Sequence, residues 1–126
     1  MKLISVPLLT LFTLSRTLAQ VVVGTVDINK EGQIGTVEVL VTERFSSKSV
    51  NVYVDYGQRT NFRAENIESK TSDYKIVDPE TKKEKVFTST AALLNFMEAN
   101  NWEHYNSLAV REGGSPAFYY YFRKKR

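Results

Sequence analysis

Two stretches of alternating valine, Thr36 to Glu43 (TVEVLVTE) and Ser49 to Tyr56 (SVNVYVDY), constrain this chain more than any other feature. A period of two puts Val37, Val39 and Val41 on one face of the first stretch, with Glu38 and Thr42 on the other. In the second it turns Val50, Val52, Val54 and Tyr56 toward a core and Asn51, Tyr53 and Asp55 outward. Both read as half-buried strands, because β-branched side chains suit a pleated surface. The short connection from Arg44 to Lys48 supports antiparallel pairing. A sheet built this way has an apolar face that another element must cover.

The cover is the one substantial helical pattern, within Phe87 to Trp102 (FTSTAALLNFMEANNW). Thr88 or Ser89 can cap the first turn, since a side-chain oxygen there accepts from a backbone N–H with no intrahelical partner. The helix then begins near Thr90. Leu93, Phe96 and Met97 share one face with Leu94 on its shoulder, while Asn95 and Glu98 fall away. Asn100 and Asn101 end it, because Asn adopts the left-handed conformation more readily than any residue except Gly. Trp102 can fold back onto the last turn.

The run FTSTAALLNFMEANNWE resembles a block with an "ALNYM…GWE" pattern, here Leu93 to Glu103, found in small exported bacterial proteins of unknown function. Those are similar to a broader domain of unknown function with an "LN…GWE" signature. KSVNVYVDYGQ (Lys48 to Gln58) and YYYFRK (Tyr119 to Lys124) add to the resemblance, which spans Arg44 to Lys124. Asn101 stands where that pattern usually has Gly, and Ala92 where Asp is common, so no role of the Asp transfers. The resemblance implies an α+β fold and export. It brings no activity.

The N-terminus points the same way. Met1 to Ala19 carries Lys2, an apolar run from Leu3 to Leu14, and Thr17 and Ala19 at the end, the layout of a signal peptide (residues 1–19) cleaved before Gln20. The apolar run is too short for a comfortable membrane span, and no transmembrane span is expected in the mature chain. That chain, Gln20 to Arg126, is 107 of the 126 residues, enough for a single domain burying roughly two thirds of its surface. The expected location is periplasmic or secreted. With no cysteine, neither a disulfide nor a lipidated cysteine can help hold it.

Elsewhere, Val21 to Ile28 (VVVGTVDI) reads as a strand weakened at Gly24, where a bulge fits. Asn29 to Gly35 is a turn-rich break, and Gln58 to Ser72 a long loop that Phe62 and Ile67 can pin. Tyr74 to Val77 and Lys83 to Phe87 read as the two arms of a hairpin around a turn opened by Asp78 and Pro79, with Lys82 where Gly is commonest. At the end, Trp102 to Val110 leads through the loop Arg111 to Pro116 into Ala117 to Lys124, a β-hairpin. Phe118, Tyr120 and Phe122 share one face and Tyr119 and Tyr121 the other. Alternation leaves open which set meets the helix; the two phenylalanines favour the first. The expected core is Leu93, Phe96, Met97, Trp102, Phe118 and Phe122, each contributing about 1.5–3 kcal/mol on burial. The fold class is therefore α+β: a mainly antiparallel sheet on one principal helix, ending in the hairpin.

Charge and chemistry narrow the function. Removing Lys2 and Arg16 with the leader leaves 15 basic against 14 acidic residues, and four of the basic ones cluster at Arg123, Lys124, Lys125 and Arg126 as a short tail expected to be solvated. The body is net acidic without them, so nucleic acid is not an expected partner. His104 is the single histidine and there is no cysteine, which removes zinc sites and Cys–His pairs; Glu103 beside it points to the opposite face of a strand. Gly113 and Gly114 lack the setting of a phosphate loop, and no cofactor is expected. The first reading is a non-catalytic interaction module of the bacterial envelope that binds another envelope or secreted protein, or itself as a homodimer, through an outer strip of Tyr105, Tyr119 and Tyr121. Tyrosines also populate strands simply because they fit a half-buried pleat. The second reading is a small-ligand or envelope-polymer binder or hydrolase using carboxylates near the 58–72 loop, such as Asp55 with Asp73.

Overall fold

The valine stretches form the middle and one side of a four-stranded antiparallel sheet. The computed structural model describes residues 18–43, 48–58, 72–112 and 114–126. Its elements are β1 (Val22–Val23), β2 (Val26–Asp27), β3 (Thr36–Glu43), β4 (Val50–Asp55), β5 (Ile76–Val77), α1 (Thr90–Ala99), β6 (Trp102–Glu112) and β7 (Ser115–Lys124). The large sheet has the order β4-β3-β7-β6, and a small one has β2-β1-β5. Most of the expected signal peptide, residues 1–17, lies outside the described residues, as do residues 44–47 and 59–71, which include Phe62 and Ile67.

Register follows the alternation. Val39 faces Val54 on β4 and Tyr120 on β7, and Val37 faces Phe122, so one face of the sheet is continuous apolar surface. Val37, Val39, Val41, Val52, Val54 and Phe122 are buried there with Leu93 and Met97 of α1. Trp102, the first residue of β6, is fully buried in the same core. Helix and sheet thus form an α+β domain that ends in a hairpin.

The helix begins where its cap dictates. Ser89 Oγ accepts from the Ala92 N–H at 3.1 Å. At the other end Asn101 takes φ 76°, the left-handed turn that reverses the chain into β6. Phe96 is only partly buried; it meets Phe87 edge-on at 5.4 Å, and the Lys85 ammonium lies 5.2 Å from its ring centre.

Four sequence expectations need correction. Val21 to Ile28 is not one strand: Gly24, at φ 62°, turns the chain so that Val23 pairs with Val26 as a tight hairpin. The arm Lys83 to Phe87 joins by the single bridges Val77 to Glu84 and Val50 to Phe87 and forms no named strand, though Asp78 Oδ1 accepts from Glu80 and Thr81 as its turn requires and Lys82 takes φ 64°. The expected loop Arg111 to Pro116 is mostly strand, with Glu112 paired to Ser115. Pro116 is tolerated in β7 because β3 pairs with that strand only from Phe118 onward, so no ladder bond from β3 falls at the missing N–H.

Fourth, the large sheet is buried on both faces across β4, β3 and β7, though not at β6. Leu40, Tyr53, Tyr74, Ala117 and Tyr119 form a second cluster on the face away from the helix. Tyr53, expected outward, is buried, with the Lys75 ammonium 4.5 Å from its ring centre. Lys75 is itself only 6% exposed and reaches Glu84 Oε2 at 3.3 Å. The chain passes β4 through a 3-10 turn at Ser72–Tyr74 before β5, which places Tyr74 and Lys75 over that face.

Asn29, read only as part of a turn, ties three elements together. Its Oδ1 accepts from the Val21 N–H at 2.8 Å and from Trp102 Nε1 at 3.2 Å, and its Nδ2 donates to Asn100 O at 2.9 Å. Asn100 Nδ2 in turn donates to Phe96 O in the last helical turn.

Candidate interaction surface

A strand at the end of a sheet offers backbone donors and acceptors on one side, and β6 is such a strand. It is eleven residues long and pairs with β7 along its length. A bulge interrupts the register between His104 and Asn106, leaving Tyr105 as the extra residue. Directly opposed residues share a face, so Leu108, opposite Tyr119, points away from the helix. Leu108 is 49% exposed and Tyr105 44%, both among the large hydrophobics left open to solvent.

The three tyrosines of the expected strip are not equivalent. Tyr119 is 1% exposed, packed in the second cluster, so it belongs to the core and not to a contact surface. β7 has strands on both sides and a covered face on each, and alternation cannot reveal that. Tyr121 is half-buried and donates through its hydroxyl to Glu38 Oε2 at 2.6 Å. Tyr105 alone is open; its ring lies 6.5 Å from that of Tyr121 and 5.0 Å from the Arg123 guanidinium. Phe118, expected in the core, is partly buried, while Phe122 is fully buried. Leu108 went unremarked in the sequence because an isolated Leu in a strand carries no signal of its own.

Arg123 and Lys124 of the basic end lie in β7 and three of its four residues contact the fold, while Arg123, Lys125 and Arg126 stay exposed as expected. Arg123 Nε contacts Glu103 Oε1 at 3.1 Å, Lys124 Nζ donates to Glu31 O at 2.9 Å, and Lys125 Nζ contacts Glu98 Oε1 at 3.0 Å. The Glu98 carboxyl is held below its ordinary value by the Lys125 ammonium and then by the His104 backbone N–H. These side chains surround an open cavity of about 620 Å³. His104 enters its wall with the ring between Tyr120 and Phe122, at 5.8 and 5.6 Å. Its Nε2 is buried without a hydrogen-bond partner among the described residues. Glu103 and His104 oppose Arg123 and Phe122 respectively, so they sit on opposite faces.

Among the described residues Asp55 and Asp73 flank the expected 58–72 loop. Asp55 Oδ1 accepts from the Gly57 N–H at 2.8 Å, and Gln58 reaches the backbone oxygen of Asp73 at 3.1 Å. A cavity of about 400 Å³ adjoins the start of that loop, lined by Val26, Ile34, Tyr56 and Glu31 among others. Burial, and after it the charges of Asp73 and Glu31, raise the Tyr56 hydroxyl above its ordinary value of 10.0. No group of three or more His, Cys, Asp or Glu that could hold a metal occurs among the described residues.

Fold and surface together define a small α+β domain with a long edge strand bearing two open apolar side chains. Comparison with protein-family models, with curated proteins and with solved structures finds no match.

Proposed function

We propose that this chain is an exported, non-catalytic interaction module of the bacterial envelope that takes a strand of its partner onto the β6 edge. The observation that carries the reading is that edge itself, eleven residues long with Tyr105 and Leu108 exposed on one face. Strand addition supplies main-chain hydrogen bonds for affinity, and pockets for alternate side chains supply selectivity. A tyrosine beside a guanidinium suits such a surface, because it offers wide contact area and a polar tip. Export rests on the pattern of residues 1–19 and on the resemblance of the helix block. The partner is then another envelope or secreted protein, or a second copy.

The test begins with tagged Gln20 to Arg126 recovered from envelope and medium of its own host, followed by reconstitution with the purified partner. Replacing Tyr105 and Leu108 together by Ser should weaken that complex by about tenfold or more, as expected for truncating central contacts. Unchanged affinity in a folded double variant would refute the surface. One observation favours a second reading, a binder or hydrolase of small molecules or envelope polymers: the cavity beside Tyr56 and Glu31. Saturable binding of an envelope polysaccharide fragment that is lost in Glu31→Gln would move the function there.

A further inference from the structure

The chain enters the fold at Gln20. Leu18 is 75% exposed, whereas Val21 is fully buried. The Gln20 N–H donates to Asn100 Oδ1 at 3.0 Å, and the Val21 N–H to Asn29. Beside them lies a cavity of about 230 Å³ walled by Leu18, Ala19, Gln20, Asp27 and Asn29, with Lys30 exposed at its rim. Asp27 Oδ1 accepts from the Asn29 N–H at 3.0 Å. Its other oxygen, Oδ2, is buried and has no hydrogen-bond partner among the described residues. A buried acceptor left without a donor is costly, which makes such a group a marker for a missing one.

We propose that the missing donor is the α-ammonium created at Gln20 when residues 1–19 are removed, and that Asp27 with Asn100 forms a receptor for this new N-terminus. The inference rests on the export reading. Cleavage before Gln20 converts an amide nitrogen with one hydrogen into an ammonium with three, and it takes Leu18 and Ala19 out of the cavity wall. One hydrogen keeps the Asn100 bond, a second goes to Asp27 Oδ2, and the third faces the space vacated. The charge of the carboxylate is matched at the point where the chain begins, so a processed chain is tied down more firmly than an extended one.

The pairing has a chemical consequence. An N-terminal glutamine closes on itself when its unprotonated amine attacks the side-chain amide carbon; a C–N bond forms, the lactam results and ammonia leaves. Only the free base attacks. A carboxylate within about 4–6 Å favours the charged form by about 1–3 pH units, so the reactive fraction falls about tenfold or more.

The experiment follows loss of ammonia by intact mass on processed protein purified from an exporting host, at neutral pH, for wild type and Asp27→Asn. The expected result is a mature chain beginning at Gln20 that stays open, while Asp27→Asn closes about tenfold faster. Equal rates in the two folded proteins would overturn the receptor and leave export standing. A mature chain that begins elsewhere, or retains residues 1–19, would overturn the export reading and this inference with it. Should Asp27→Asn not fold, wild type decides against itself in denaturant: closure about tenfold slower when folded supports the receptor, and equal closure overturns it.

Discussion

Replacing Asn29 by Ala should be among the most damaging polar substitutions in the protein. Three groups depend on its side chain: the Val21 N–H at 2.8 Å, the Trp102 indole N–H at 3.2 Å and the Asn100 carbonyl at 2.9 Å. The site is part-buried, so each orphaned group is taken at the low end of the desolvation penalty, about 1 kcal/mol, for a total of about 3 kcal/mol. That is a large share of the stability of about 5–15 kcal/mol usual for a domain. In a chain of this size it corresponds to a fall in Tm of about 12–20 °C. Denaturant titration followed by circular dichroism measures it without relying on the indole as a probe. The stronger check is the double-mutant cycle with Trp102→Phe. Asn29→Ala has already removed the indole's acceptor, so the double variant should cost about 1 kcal/mol less than the sum of the singles. An Asn29→Ala cost under about 1 kcal/mol, or additivity within about 0.5 kcal/mol, would refute the reasoning.

Further expectations concern other parts of the molecule. Tyr119→Ser should lower stability by about 3–5 kcal/mol, as for other large buried aromatics, whereas Tyr105→Ser should stay within about 0.5 kcal/mol; equal effects in thermal melts would contradict the division of the tyrosines. Asn101→Ala should cost about 1 kcal/mol because Ala keeps the Cβ crowded at φ 76° but lacks the short polar side chain that lets Asn tolerate it, while Asn101→Gly, with no Cβ, should equal or exceed wild type. The Glu98 carboxyl lies below its ordinary value of 4.5, so the stability it contributes is present above that pH and disappears as pH falls through the lowered value. Tm profiles of wild type and Glu98→Gln should therefore converge in acid, and a constant gap would speak against the Lys125 and His104 contacts as its source.

Much of the frame was legible because it depends on local period. Val37, Val39 and Val41 face the core as their spacing requires, and Leu93 and Met97 lie on the buried stripe of a helix capped by Ser89. The left-handed turn at Asn101 follows from the residue itself. The candidate surface was half legible. Tyr105 is open as its strand position allowed, but Tyr119 and Tyr121 share a face with residues that the chain covers elsewhere. Nothing in the sequence around Leu108 or Asn29 distinguishes them from ordinary strand and turn residues.

The sequence by itself determined that the two valine stretches and the C-terminal segments become strands, where the helix starts and stops, and that the products assemble as an α+β domain. These outcomes are set by side-chain spacing and by backbone preferences within a few residues. Tertiary structure alone decided that β4, β3 and β7 are buried on both faces, that β6 is left at the edge, and that Asn29 meets both Trp102 and Asn100. Each of those joins residues far apart in the chain. Period two fixes which side chains share a face, but what covers that face depends on the path of segments such as Tyr74 and Lys75.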